Sequence, residues 1–166
     1  LKNALQQNPD NAEARYLLGE LYYKIGDMPS AEKEYSRALE AGWSPEQAYV
    51  GKMLAIVSQA RFDDVLEDSY DSSGFSDTAK ANLVAIRALA YGAKGDQLQA
   101  KNTVLETDKL DPDAYVVLKA TYVLQVADKN YDDAEKTITR ALELYPDDAE
   151  FLYYSASLDV TRQNND

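Results

Sequence analysis

The sequence predicts an all-α fold: a solenoid of helix-turn-helix repeats stacked side by side. Three observations carry this. Apolar and small residues recur at spacings of three and four, the period of one helix face. Gly-Asp pairs and prolines cut that pattern into segments of helix length. The segments then recur about every 34 residues, as when Ala4-Leu5 reappears as Ala38-Leu39 and Pro112 as Pro146.

The stretch from 12 to 43 shows the unit most clearly. Leu18, Gly19 and Tyr22 form one stripe of a first helix, and Ala31, Tyr35, Ala38 and Leu39 form one stripe of a second. Gly26-Asp27 breaks the period between them, and Pro29 suits the first turn of a new helix. Gly19 and Ala31 matter because they are small, so two helices can approach closely there. Leu18, Gly19, Tyr22, Ala31 and Tyr35 resemble the tetratricopeptide repeat, whose pattern runs W-x2-L-G-x2-Y, then A-x3-F, then P. Arg15 stands where that pattern has Trp, and Trp43 where it has Pro. The resemblance implies a right-handed superhelix, with first helices on its concave face and second helices outside.

The other segments follow in order. Residues 1–9 read as the second helix of a preceding repeat, stopped by Pro9, so the chain reads as a piece of a longer array. Asp10 and Glu13 are expected to form a capping box for the next helix. Residues 44–75 form a degenerate repeat. Gly42 suits a left-handed helix end, Ser44 an N-cap, Pro45 the first turn, and Gln47 closes a box. The first helix is expected over about 45–59, with Gly51 or Ala55 as its small contact residue. Its partner, starting at Arg61-Phe62-Asp63-Asp64-Val65-Leu66, is short, and residues 68–74 are a loop by composition.

Residues 76–112 restore the pattern, with Ala88, Tyr91, Gly95-Asp96 and Ala100 repeating Gly19, Tyr22, Gly26-Asp27 and Ala31. The shift is one residue more than two repeats, which places one extra residue near Ser72. Residues 113–146 form another repeat, whose second helix begins at Tyr131 and fits well. Its first helix fits poorly, because Ala120 stands two residues early, and an insertion near Asp128-Lys129-Asn130 is expected. Residues 147–166 read as a first helix without a partner, capped by Asp147 with Glu150.

Composition narrows the function. The chain has 166 residues, 45% hydrophobic and 28% charged, enough for a real core. Net charge is −12, which opposes binding to nucleic-acid phosphates and to anionic membranes. Cysteine and histidine are both absent, which removes thiolate chemistry, the usual general base and the usual zinc ligands. Any catalysis would need Asp, Glu, Lys or Tyr alone, and helical spacing gives no convergent pair, so the chain is read as a non-enzyme. No cofactor or metal is expected; the acidic loop at 68–74 lacks the spacing of a calcium loop.

The expected function is a protein-interaction scaffold that holds a partner peptide or domain in the concave groove. Candidate contacts are Glu13, Tyr16, Glu20, Tyr23 and Lys24 on the first helix of the clear repeat. Asn82, Ala85, Leu89 and Ala93 follow on the third, and Tyr153 and Ser157 on the last. In the poorly registered repeats the same logic selects Tyr49, Lys52, Val117 and Thr121. Tyr22, Tyr35, Tyr91 and Tyr131 are assigned to packing, while Tyr16, Tyr23 and Tyr153 are open to either role. A Lys-Asn clamp for a C-terminal carboxylate, known in some members of the family, is disfavoured by Glu13 and Glu20.

Leu1-Lys2-Asn3-Ala4-Leu5, Asp10 to Gly19, Ala31 to Glu34 and Arg61 to Leu66 together resemble the N-terminal part of the repeat lipoproteins of PEP-CTERM/exosortase systems. That resemblance implies a bacterial exopolysaccharide or protein-sorting export system and the periplasmic side of a Gram-negative envelope. Membrane attachment would run through a lipid anchor upstream of Leu1. It also raises polysaccharide as an alternative ligand, for which the negative charge predicts weak affinity.

Overall fold

The structure, a computed structural model, describes residues 5, 6 and 8–163. The helix expected at 1–9 lies largely outside them; Leu5 and Gln6 are helical. Nine helices follow: α1 Ala12–Lys24, α2 Met28–Glu40, α3 Pro45–Ser58, α4 Phe62–Leu66, α5 Asp77–Ala93, α6 Gln97–Leu105, α7 Tyr115–Ala127, α8 Tyr131–Leu144 and α9 Ala149–Gln163. A 3-10 turn, Glu106–Lys109, extends α6. Helix α1 packs on α2, α2 on α3, α3 on α5, α5 on both α6 and α7, α7 on α8, and α8 on α9. This is the all-α solenoid that the sequence implies: each hairpin finishes its core against the next.

Four turns set the register. Ile25, Gly26 and Asp27 donate their backbone N–H groups to Leu21, Tyr23 and Tyr22, and Lys94, Gly95 and Asp96 do the same to Ala90, Gly92 and Tyr91. The turn within the hairpin at Lys129 closes in the same way, as does the one at Ala60 except that Gln59 bonds Ile56; the turn between α2 and α3 repeats the pattern at Gly42. The central residue is left-handed each time: Gly26 at φ +82°, Ala60 at 58°, Gly95 at +85° and Lys129 at 60°. These positions lie 34, 35 and 34 residues apart, so the extra residue falls between Ala60 and Gly95. The insertion expected near Asp128-Lys129-Asn130 is not there, since that turn has the length and bonding of the first. What disturbs the α7 pattern is Tyr122, which occupies the place of Gly19 and Ala88. It is buried, stacks on Tyr154 with ring centroids 4.8 Å apart, and donates its hydroxyl to the Tyr154 carbonyl at 2.8 Å.

Three further turns join one repeat to the next. Asn8-Pro9-Asp10-Asn11, Asp111-Pro112-Asp113-Ala114 and Tyr145-Pro146-Asp147-Asp148 each close with the fourth N–H on the first carbonyl. The fourth residue is therefore the N-cap. This corrects two of the three expected capping boxes by one position: Asn11 accepts from the Ala14 N–H at 2.8 Å, and Asp148 accepts from the Phe151 N–H at 3.0 Å. Ser44 does stand at the N-cap of α3, but its side chain makes no capping bond. Asp27, Ser76 and Asp96 do cap with their side chains.

Small residues make the helix contacts. Ala31, Ala38, Ala88, Ala100, Ala134 and Ala141 are fully buried. Of the two candidates in α3, both serve: Gly51 faces the Tyr35 ring, and Ala55 packs with Ala31 and Tyr35. The four tyrosines assigned to packing do pack, Tyr35 fully buried and Tyr22, Tyr91 and Tyr131 half-buried against core clusters. Arg15, standing in the Trp position of the repeat pattern, bonds Glu34 at 2.6 Å and the Pro9 carbonyl at 3.0 Å. Trp43, in the Pro position, stacks on Tyr16 with ring centroids 5.3 Å apart. Among the described residues no helix is long and apolar enough to cross a membrane.

Candidate functional site: the groove of the first helices

The first helices α1, α3, α5 and α7 line one side of the array, and two cavities open there. One, of about 290 Å³, is lined by Tyr16 and Glu20 of α1, Gln47, Val50 and Leu54 of α3, Thr78 and Asn82 of α5, and Tyr115 of α7. The other, of about 330 Å³, is lined by Leu54 and Val57, Leu89 and Ala93, and Lys119, Val123 and Ala127. Leu54 belongs to both, so the cavities adjoin. Both present mainly apolar surface, and the first adds the carboxylates of Glu20 and Glu46 and the phenols of Tyr16 and Tyr115.

Side chains link successive first helices along this groove. Glu46 accepts from the Ser76 N–H at 2.8 Å, which also holds the Glu46 carboxyl below its usual pKa. Asn82 accepts from the Val116 N–H at 3.0 Å. That bond has a local cause: Ala114 holds the N-cap position of α7 and has no side-chain acceptor, so Asn82 supplies one from the neighbouring helix. The Tyr115 hydroxyl lies 3.2 Å from carboxylate oxygens of both Asp148 and Glu150. Glu20 accepts from the Tyr35 hydroxyl at 2.5 Å. Burial, reinforced by Glu20, pushes the Tyr16 phenol up to about 12 and raises that of Tyr35 further.

One cation sits among these groups. Lys119 on α7 bonds Glu150 on α9 at 2.6 Å and is only 15% exposed. The Tyr23 side chain of α1 faces it from across the groove. Burial opposes the ammonium charge, but Tyr23 and Glu150 outweigh it and raise the Lys119 pKa. The groove's one lining lysine is thus already neutralised, while Glu20 and Glu46 have only neutral hydrogen-bond donors as partners. The net field of the groove is negative.

Tyr16, Glu20 and Asn82 come together in the first cavity, and Leu89 and Ala93 line the second. Tyr23 is half-buried and faces Lys119. Tyr153 is 68% exposed on α9, and Glu13 and Lys24 are exposed at the two ends of α1. Three candidates present no surface and are withdrawn. Tyr49 is buried and stacks on Tyr70 at 4.0 Å, and Ala85 is fully buried. Val117 is buried as well. For Tyr49 and Val117 the cause is register; Ala85 does hold the Tyr16 position, ten residues before Gly95, and is buried in the core cluster that α5 shares with α3 and α7. The turn at Ala60 places Val50 and Leu54, not Tyr49 and Lys52, at the positions of Tyr16 and Glu20. The turn at Lys129 places Lys119 and Val123 there, not Val117 and Thr121. Counting back ten residues from each left-handed turn position would have found the second set.

Residues 1–50 and residues 124–158 each match a family model described as tetratricopeptide repeat. The chain carries tetratricopeptide repeats over these residues, a helical-hairpin architecture that suggests a protein-interaction scaffold. Among solved structures, a crystal structure of YrrB, "a TPR protein with an unusual peptide-binding site", is 15% identical. It aligns over 98% of this chain and 84% of that one with a TM-score of 0.46. Curated proteins give no match.

Proposed function

We propose that the protein is a non-catalytic scaffold that holds an extended, cationic and apolar peptide segment of its partner in the first-helix groove. The observation that carries this is the pairing of an acidic cavity with an apolar one, joined at Leu54. A Lys or Arg side chain beside Glu20 and Glu46 would gain charge-assisted hydrogen bonds. An apolar side chain a few residues along would be sheltered by Leu54, Val57, Leu89 and Val123. Phenols at the rim, such as Tyr16 and Tyr115, offer contact area at low entropic cost. The same negative field opposes an anionic polysaccharide.

In the cell, the partner is a component of an envelope export apparatus of the exosortase type, and the protein works on the periplasmic side. The support for this is the resemblance of Leu1 to Leu5, Asp10 to Gly19 and Arg61 to Leu66 to lipoproteins of those systems. Fractionation of the native host tests it directly, and recovery in the cytoplasm would refute it.

Selection from a random peptide display library tests the groove reading. Enriched sequences should combine Lys or Arg with an apolar residue, and Glu20→Gln and Leu54→Ala should each weaken them about tenfold. Enrichment of acidic sequences, or binding indifferent to both substitutions, would overturn it.

A further inference from the structure

The truncated second helix of the degenerate repeat leaves a cavity on the other side of α5. Helix α4 has 5 residues, whereas α2 has 13 and α8 has 14. The chain beyond Leu66 crosses the gap as a loop. Beneath it lies a space of about 530 Å³, within the range of small-molecule sites. Its walls are Tyr49 and Met53 of α3, Tyr70 of the loop, Lys80 and Arg87 of α5, and Thr103 of α6.

Three features set it apart from a packing fault. First, Arg87 is half-buried, and neither it nor Lys80 forms an ion pair among the described residues. The other arginines whose side chains are described, Arg15, Arg37, Arg61 and Arg140, are all paired. In a chain of net charge −12, a half-buried guanidinium outside any ion pair keeps its donors available to an anionic ligand. Second, the Tyr49 hydroxyl is buried without a partner in good hydrogen-bonding geometry, though the Asp68 carboxylate faces it. Third, the stacked rings of Tyr49 and Tyr70, with Phe75 against both, form an apolar wall.

We infer that this cavity binds a small organic carboxylate. The carboxylate would take the two-pronged hydrogen bonds of Arg87, with Lys80 adding charge, and the ligand's apolar body would lie against Tyr49, Tyr70 and Met53. Asp68 and Glu106 also line the space, so a single negative charge fits better than a phosphate dianion. The site is independent of the groove, because it draws on different faces of α3 and α5.

Saturation-transfer nuclear magnetic resonance with benzoate, phenylacetate and hexanoate tests it, with benzamide as the uncharged match. The carboxylates should bind and benzamide should not. Arg87→Gln should weaken them roughly tenfold. Lys80→Gln should weaken them less, and Glu20→Gln in the groove should leave them unchanged. Circular dichroism establishes that each variant folds, and amide shifts in the wild type should centre on Tyr70 and α5. Equal response to benzamide, no response to any carboxylate, or binding indifferent to Arg87→Gln would overturn the assignment.

Discussion

The Tyr35 ring lies against the backbone of Gly19 so closely that a Cβ at residue 19 would stand 2.8 Å from its Cδ1 and Cε1. A Cβ at Gly51 would stand 2.7 Å from the same ring. Tyr35 is therefore held between successive first helices, fully buried, with its hydroxyl on Glu20. The ring has nowhere to retreat. Gly19→Leu should destabilise by about 3 kcal/mol, the upper end for overpacking. Gly19→Ala should cost less, because alanine's helix propensity returns about 1 kcal/mol. At roughly 2–4 °C per kcal/mol for a domain of this size, calorimetry would resolve both. Tyr16→Ala is no neutral control, since Tyr16 stacks on Trp43 and touches Tyr35; Glu13→Ala, at an exposed site, is.

Ala60 and Lys129 hold the left-handed turn position that Gly26 and Gly95 fill in the other hairpins. A Cβ is strained there by about 1–2 kcal/mol, while glycine loses somewhat more entropy on folding. Ala60→Gly and Lys129→Gly should each stabilise by about 0.5–1 kcal/mol, read as a higher denaturant midpoint with an unchanged slope. A lower midpoint in both would show that the shared turn geometry is wrong.

Asn82 caps α7 from outside, since Ala114 cannot. Asn82→Ala should cost about 1 kcal/mol, as for a lost N-cap. It should also speed hydrogen exchange at the Val116 amide more than at amides in the middle of α7. Uniform acceleration would instead mean that the bond is incidental.

Alkaline pH should unfold the protein before its buried phenols ionise. Burial raises the pKa values of Tyr16, Tyr35, Tyr49, Tyr115 and Tyr154 above the ordinary 10.0, Tyr16 to about 12. A raised folded-state pKa means that the native form holds its proton more tightly. The associated stability is complete below pH 10.0 and falls as pH rises through the folded values. Near-ultraviolet phenolate absorbance of these buried tyrosines should rise in a phase that coincides with loss of helix. A smooth single titration with the helices intact would contradict this burial.

The helices themselves were legible because their breaks are chemical: Gly26-Asp27, Pro45, Gly95-Asp96 and Pro146 each end or begin one. The short α4 and the loop after it were equally plain from Arg61 to Gly74. The register of α3 and α7 was harder. Their turns carry Ala60 and Lys129 where the pattern leads one to look for glycine, so Tyr49 drew attention by its chemistry rather than its place. Tyr122 misled for the opposite reason, a large residue at a small position. Tertiary links escaped entirely: no local pattern connects Asn82 to Val116, or Lys119 to Tyr23 and Glu150, because those pairs meet only once the hairpins stack.

The most direct measurement is a map of backbone amide shifts on titration with a display-selected basic and apolar peptide. The account predicts changes running along one face of the array, at Glu20, Gln47, Leu54, Asn82, Leu89 and Val123, with α2 and α8 silent. Changes centred on α2 or α8, with that face unmoved, would contradict it.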